Sequence, residues 1–282
     1  VVLMTNTTGK KQEWRDATSL GKKDSKKALE QTDGDFDAAI KILREKGAAV
    51  AAKRASKEAN EGKIDAVVAT DSQQAAMIEV NCETDFVTRN DDFQAFVGEL
   101  IDDALNHESG TMADAVAVKL EEKIAQVGEK ISLRRNEKWT VEKTGAIASY
   151  IHMGGKVGVL LELSCEKTES VSTADFQELA KDLTLHVAAA APEYLSRDDV
   201  PADQVESEKE IFRKQLIGKP ENIIDKILIG KVNKYFSQIC FLEQGFVKEE
   251  KQSITDLIAE KSKAINDTIH VKRYIRFQLG GE

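Results

Sequence analysis

The feature that most constrains the fold is an internal repeat with an offset of 83 residues. Ile78–Glu83, IEVNCE, aligns without a gap with Leu161–Glu166, LELSCE, and Asp92–Gln94 aligns with Asp175–Gln177 at the same offset. In each copy an alternating, strand-like segment precedes a segment with helical apolar spacing. Each copy is therefore predicted to form an antiparallel hairpin with a helix on one face. Two copies favour a pseudo-symmetric pair over a solenoid.

Two pairs of polar residues obey the same repeat. Glu79 and Glu162 occupy equivalent strand positions, and we expect both on the solvent face of a sheet. Cys82 and Cys165 both end the equivalent strand, a place that suits small buried residues. A metal site formed by the two thiols is the alternative, but their equivalence favours the buried role.

The segment before the repeat is predicted to form a small helical module. Apolar residues recur at helical spacing between Ala28 and Leu43, and Asp35 is a candidate helix N-cap. Gly47 is a natural helix stop. The following residues to Gly62 are predicted to form an exposed linker.

The segment after the repeat predicts a helical hairpin and a last strand. Apolar stripes in 205–216 and 224–239 flank Gly218-Lys219-Pro220, a pattern typical of two antiparallel helices joined by a tight turn. The terminal VKRYIRFQLGGE, 271–282, reads as a strand that closes the sheet of the second copy.

These patterns together predict an α+β fold with six segments. They are an N-terminal helical module, a linker, a first core subdomain, the first part of a second core subdomain, a protruding antiparallel coiled-coil hairpin, and a return segment that completes the second subdomain. Their predicted boundaries are 1–47, 48–62, 63–140, 141–200, 201–240 and 241–282.

Composition narrows the classes of function. The net charge of −9 argues against direct binding to nucleic acid, which needs a basic face. No apolar run approaches the roughly 20 residues that span a bilayer, and the opening VVLM does not resemble a signal peptide. The three cysteines are typical of reduced thiols. We therefore expect a cytoplasmic protein without membrane contact.

The sequence offers no catalytic signature. It has no glycine-rich phosphate loop, and its four histidines are not at metal-ligand spacing to one another or to a cysteine. We expect neither enzymatic activity nor a bound metal or cofactor.

One corner departs from the repeat. Thr84-Asp85-Phe86-Val87 follows the first hexapeptide, whereas the second copy has Lys167-Thr168-Glu169-Ser170. If Phe86 filled the core, its counterpart would be expected to be apolar, yet it is Glu169. Phe86 is therefore either an asymmetric core residue or an exposed aromatic anchor for a partner.

Several blocks of the sequence resemble one known family. They are EVNCETDFVTRNDDF, DSKKALEQTDGDFDAAIKILREKG, AAKRASKEANEG, SYIHMGGKVGVLLEL, GKPENIIDKI and FLEQGFVKEE, and they occur in the family's order over roughly residues 15–282. The chain is similar to bacterial elongation factor Ts, the guanine-nucleotide exchange factor of the GTPase elongation factor Tu. The resemblance implies that the N-terminal module has three helices, like a ubiquitin-associated domain, and that the partner is a protein rather than a cofactor.

The resemblance also implies contact residues. Asp85 and Phe86, flanked by Thr84 and Val87, would intrude beside the magnesium and phosphate side of the GTPase site. The other residues that match family contact positions are His152, Lys26, Arg54, Phe246, Val247 and Arg15. His152 is equally well read as a turn histidine, and Lys26 and Arg54 as solvated charges.

The sequence departs from the family at two places. Gly245 replaces the proline that precedes Phe246 and Val247, and Lys22 and Lys23 replace two methionines. These departures leave an alternative function open: a non-exchanging interaction protein or scaffold that binds the same GTPase or another partner. A third alternative is a thiol- or metal-dependent enzyme.

Overall fold

The chain folds as an α+β protein. The structure is a computed structural model and describes residues 22–216 and 220–281. The described helices, which we number α1 to α10, are Lys22–Gln31, Phe36–Arg54, Asp85–Thr88, Asp91–Ala104, Met112–Ala115, Ala117–Val127, Ala174–Ala190, Ala202–Lys214, Glu221–Ile239 and Ile254–Ala264. Short 3-10 turns cover Thr168–Ser172, Arg197–Asp199 and Phe241–Glu243. The described strands β1 to β8 are Glu61–Val68, Gln74–Cys82, Ile131–Thr140, Gly145–His152, Val157–Ser164, Gly245–Phe246, Glu249–Ser253 and His270–Gln278.

The strand order confirms the predicted duplication. One three-stranded sheet has the order β1-β2-β3, and the other has the equivalent order β4-β5-β8. Strands β4 and β5 are antiparallel, with Gly145 opposite Ser164 and His152 opposite Val157. The prediction that the C-terminal segment closes the second sheet is confirmed, because β8 pairs with β5. A small sheet of β6 and β7 lies between the helical hairpin and α10 in the sequence.

Each copy buries one face of its long helix. In the first copy, Phe93, Val97 and Leu100 on α4 are fully buried at helical spacing. In the second copy, α7 packs on β4 and β5 and buries Phe176 and Leu183 in the core of that sheet. The alternating and helical apolar patterns thus place the elements as predicted.

The prediction that Glu79 and Glu162 face solvent is wrong. Glu79 is 0% and Glu162 is 6% exposed. Each lies on the central strand of its sheet, β2 or β5, where nearly every residue is buried on both faces. The buried carboxylates are neutralised by arginines: Arg135 Nε lies 2.8 Å from Glu79 Oε2, and Arg273 Nε lies 2.7 Å from Glu162 Oε2. Burial without such partners would cost several kcal/mol.

The N-terminal helices depart from the prediction at Gly47. Asp35 caps α2 as predicted, since its Oδ1 accepts a hydrogen bond of 3.1 Å from Ala38 N. Helix α2 does not stop at Gly47 and instead continues to Arg54. Gly47 is buried where α2 packs on α6, and a Cβ there would lie 3.5 Å from the Cβ of Ala125. Tertiary packing therefore carries the helix through a residue of low helix propensity.

The two helices of the predicted hairpin, α8 and α9, pack against each other. Leu228, Val232 and Phe236 on α9 form a cluster with Val205 and Phe212 on α8. Hydrogen bonds join the helices, among them one of 2.8 Å from Gln204 Nε2 to Tyr235 Oη. The predicted Gly-Lys-Pro turn falls mostly outside the described residues. Within the described ranges, every helix is too short or too polar to span a lipid bilayer.

The chain divides into two compact units. Among the described residues, the first holds 22–65, 78–138 and 278–281, and the second holds 66–77, 139–216 and 220–277. The six predicted domain boundaries stay a prediction.

Candidate functional site

The corner at Thr84–Val87 forms a single helical turn, α3, that presents its aromatic ring to solvent. Phe86 is 80% exposed, the most exposed large apolar side chain of the described residues. No residue of α3 is buried. This exposure rules out the interpretation of Phe86 as an asymmetric core residue.

The carboxylate beside the ring lies on the same surface. Asp85 Oδ2 accepts a hydrogen bond of 2.7 Å from Arg89 Nη2, and both side chains are at least partly exposed. An exposed ion pair of this kind contributes little to stability and is readily exchanged for another partner. Asp85 and Phe86 can therefore act together on a neighbouring molecule.

A shallow depression lies next to the ring. Its volume is about 350 Å³, and it is lined by Phe86, Val87, Asn90, Asp92, Gln126 and Val127. Helices α3, α4 and α6 of the first unit form its walls. A projecting ring beside a half-apolar depression is the shape of a protein-binding corner.

His152 lies at the tip of the β4–β5 hairpin and is exposed. Its Nδ1 lies 2.9 Å from Tyr150 Oη, and the two rings stack at 5.7 Å. The next residue, Met153, has a φ of 49° and is 72% exposed. The hairpin thus offers an imidazole and a thioether together.

The basic residues predicted to contact the partner differ in exposure and in the ion pairs that they form. Lys26 is exposed and lies 3.6 Å from Glu30 Oε1 on the same helix. Arg54 is partly buried, and its Nη1 lies 3.3 Å from Glu83 Oε2. Arg15 lies outside the described residues.

Phe246 is buried, whereas its neighbour Val247 is partly exposed. The ring of Phe246 is buried in the core of the second unit, 6.3 Å from the ring of His186. Val247 is 38% exposed, and its backbone N–H donates to His186 Nδ1 at 3.3 Å. A Cβ at Gly245 would lie 2.6 Å from the carbonyl oxygen of Glu250, so the approach of β6 to β7 in this chain leaves no room for a side chain at position 245.

The three cysteines are free and buried. Cys82 Sγ and Cys165 Sγ each lie 3.3 Å from the carbonyl oxygen two residues on, Thr84 O and Lys167 O, as their equivalence predicts. Burial raises the pKa of the Cys165 thiol and raises that of Cys240 to about 11. Such thiols are poor nucleophiles, since the thiolate is the reactive form. Within the described residues, no group of three His, Cys, Asp or Glu side chains is arranged to hold a metal ion.

Sequence reasoning missed the acids and arginines that support both sheets. Glu129, just before β3, and Arg135, within β3, correspond to Asp267, just before β8, and Arg273, within β8, with an offset of 138 residues. The signal was present in the comparison of GEKISLRR with NDTIHVKR. It was hidden because the helical hairpin lies between the second copy's strands and changes the offset.

The fold and the corner together define a class: an α+β protein with a duplicated sheet-and-helix core and an exposed aromatic corner suited to contact another macromolecule. The family model described as Elongation factor TS matches residues 83–281. The chain belongs to the elongation factor Ts family.

Curated members of this family are similar to the chain over nearly its whole length. Elongation factor Ts of Clostridium perfringens (strain SM101) is 41% identical in an alignment 280 positions long that covers 95% of this chain and 91% of the relative. The same protein of Trichlorobacter lovleyi is 40% identical and covers 98% of this chain and 93% of the relative. That of Nitratidesulfovibrio vulgaris (strain DP4) is 37% identical and covers 98% and 96%.

Proposed function

We propose that this elongation factor Ts family member, a nucleotide exchange factor for elongation factor Tu in translation elongation, releases GDP by inserting Asp85 and Phe86 beside the magnesium and phosphates of the GTPase. The observation that carries the proposal is the exposure of Phe86, 80%, on a helical turn next to Asp85, whose carboxylate makes only an exposed ion pair with Arg89. An apolar ring so exposed is costly in water and gains by burial in a partner.

The mechanism needs no chemistry from the factor itself. A partner that binds the nucleotide-free GTPase more tightly than the GDP-bound form must weaken GDP binding by the same factor. A ring wedged between the segments that hold Mg²⁺ would displace them, and the ion neutralises the phosphate charge. Losing the ion would therefore speed GDP release. This role is consistent with buried, unreactive thiols.

Other surfaces supplement this wedge. We assign His152 and its exposed neighbour Met153 to a second contact with the GTPase, and Lys26, Arg54, Val247 and Arg15 to peripheral contacts. Phe246, whose ring is buried in the core, would hold in place the segment that carries Val247. The N-terminal helices, read as a ubiquitin-associated-like module, and the α8–α9 pair, read as a coiled coil, would provide further docking.

The setting proposed is the cytoplasm, and the partner is elongation factor Tu in its GDP-bound or nucleotide-free form. Direct contact with nucleic acid or membrane is not part of the proposal. The six segments predicted from the sequence, 1–47, 48–62, 63–140, 141–200, 201–240 and 241–282, are proposed as the domain plan.

The first prediction concerns the ring itself. Elongation factor Tu is loaded with fluorescent GDP, and release is followed by stopped flow in excess unlabelled GDP. Phe86→Ala should lower the maximal release rate by roughly thirty-fold, the ratio that about 2 kcal/mol produces for an interface hot spot.

Glu169→Ala is the matched control, because Glu169 is the exposed residue at the equivalent position of the second copy. It should release GDP at the wild-type rate. Wild-type release by Phe86→Ala would refute the wedge, and a wild-type chain that left GDP release unaccelerated would refute the exchange role.

A second candidate function is a non-exchanging scaffold. Ile211 on α8 and Ile223 and Ile229 on α9 are exposed apolar residues that burial against a docked partner would stabilise. This function predicts a stable complex with elongation factor Tu and an unchanged rate of GDP release, so the same experiment separates the two.

A further inference from the structure

The residue that precedes the helical turn of Phe86 is hydrogen-bonded to a carboxylate that is distant in the sequence. Glu129, just before β3, accepts two hydrogen bonds from Thr84: the backbone N–H donates to Oε2 at 3.0 Å, and the hydroxyl Oγ1 donates to Oε1 at 2.8 Å. Both oxygens of Glu129 thus engage the residue that immediately precedes α3. Hydrogen bonds to a charged acceptor are the stronger kind.

The neighbouring residues reinforce this attachment. The backbone N–H of Lys130 donates to Glu83 Oε1 at 2.6 Å. Lys130 Nζ donates to the carbonyl oxygens of Ala55 and Lys57 at 2.9 Å each, which closes the end of helix α2. Residues 129 and 130 therefore hold residues 83 and 84 through three hydrogen bonds.

Helix α3 needs such external support. It has four residues and buries none of them, so it has little stability of its own. Thr84 occupies its N-cap position but makes no side-chain capping bond to the helix. The hydroxyl that would serve as the cap is instead directed to Glu129. The direction in which Asp85 and Phe86 point therefore depends on Glu129.

The second copy contains the same device without the ring. Asp267, the counterpart of Glu129, accepts hydrogen bonds from Lys167 N at 3.0 Å and from Ser170 Oγ at 2.6 Å. The turn it holds, Thr168–Ser172, carries the exposed Glu169 where the first copy carries Phe86. The carboxylate is thus part of the architecture of both copies, and only in the first does it hold an aromatic ring.

We propose that Glu129 is a positioning residue for nucleotide exchange: it holds Thr84 so that Asp85 and Phe86 meet the GTPase already oriented. This inference rests on the proposed function of the corner. An anchored turn loses less conformational entropy when the ring enters its partner, so more of the binding free energy is available to displace the nucleotide.

The test compares Glu129→Ala with Asp267→Ala, which removes the equivalent carboxylate of the second copy. Release of fluorescent GDP from elongation factor Tu is measured against the concentration of the full-length factor, which gives a maximal rate and a half-saturating concentration. Glu129→Ala should lower the maximal rate about ten-fold, the ratio that about 1.4 kcal/mol produces. The half-saturating concentration should stay near that of the wild type, because the other contacts are intact. Asp267→Ala should keep the wild-type maximal rate.

Two further variants show whether Glu129 acts through the ring. Adding Glu129→Ala to Phe86→Ala should lower the rate no further than Phe86→Ala alone. Thr84→Val, which removes only the hydroxyl donor, should lower the maximal rate partially, and it decides the question if Glu129→Ala does not fold by circular dichroism.

The outcomes separate the two hypotheses. If Phe86→Ala slows release while Glu129→Ala and Thr84→Val do not, the positioning role is refuted and the wedge stands. Equal losses in Glu129→Ala and Asp267→Ala, or an additive loss in the double variant, would also refute it, because they indicate general destabilisation. If Phe86→Ala leaves release unchanged, the proposed function itself fails.

Discussion

The carboxylate of Glu162 is buried in the second unit, where it pairs with the guanidinium of Arg273. Arg273 also lies over the ring of Trp139, 4.3 Å from its centroid, and donates to the carbonyl oxygen of Thr140 at 3.3 Å. A single arginine thus neutralises a buried charge, covers an indole and satisfies a backbone group. Removing it would leave the carboxylate uncompensated in the interior.

At the residue scale we therefore predict that Arg273→Met lowers the free energy of unfolding by about 2 kcal/mol. This is below the usual cost of breaking a fully buried pair, because the side chain of Arg273 is partly exposed. Urea unfolding followed by circular dichroism measures the change. Lys272→Met, at the exposed neighbouring position of β8, is the control and should change stability little. Equal effects of the two substitutions would contradict the assigned role of Arg273.

At the scale of elements, one histidine joins helix α7 to the segment around β6. His186 is fully buried; its Nε2 lies 2.9 Å from Gln244 Oε1, and its Nδ1 accepts the backbone N–H of Val247. The neutral imidazole fits this arrangement, with Nε2–H as donor and Nδ1 as acceptor. Burial lowers the pKa of His186 below its usual value of 6.5. Protonation would remove the acceptor that holds Val247.

The pH dependence of stability follows from this lowered pKa. Below pH 6.5 the unfolded chain binds a proton at residue 186 that the folded chain does not, so stability falls as pH falls below that value. The loss reaches up to about 1.4 kcal/mol for each pH unit until the folded pKa is passed. His186→Gln should lose less stability than the wild type between pH 7.5 and 5.5 (urea midpoints at each pH). His152→Gln, at the exposed hairpin, is the control, and an unchanged pH dependence in His186→Gln would contradict the prediction.

At the scale of the whole molecule, the net charge disfavours partners that carry a phosphate backbone. The net charge is −9, so the surface as a whole repels a phosphate backbone. Under the proposed function, we therefore expect recognition of the GTPase to rest on local features such as Phe86 and not on the overall electrostatic field.

This charge gives a prediction for nucleic acid. The protein should pass through a column of immobilised DNA or RNA unretained at about 0.15 M salt, where the screening length is about 8 Å. An unrelated basic protein of similar size verifies the column. Retention that decreases steeply with added salt would show phosphate contacts and would contradict the prediction.

Much of the fold follows from local pattern. The repeat, the strand alternation before Cys82 and the helical spacing after Asp92 predicted the sheet-and-helix copies, and β8 was predicted to close the second one. The absence of an apolar residue at Glu169 argued for an exposed Phe86, and the resemblance to the family supplied its partner. These features can be read from sequence because strand and helix periods require only neighbouring residues.

Only the tertiary structure decided the environment of the charged residues and the support of the corner. Glu79 was read as a solvent-facing residue because its strand alternates, but β2 is central and covered on both faces. Arg135, which pairs with Glu79, is 56 residues away, and Arg273, which pairs with Glu162, is 111 residues away. Likewise, Glu129 holds Thr84 from 45 residues away. A sequence determines which residues alternate or repeat, whereas the partner of a buried charge depends on which distant strands fold next to each other.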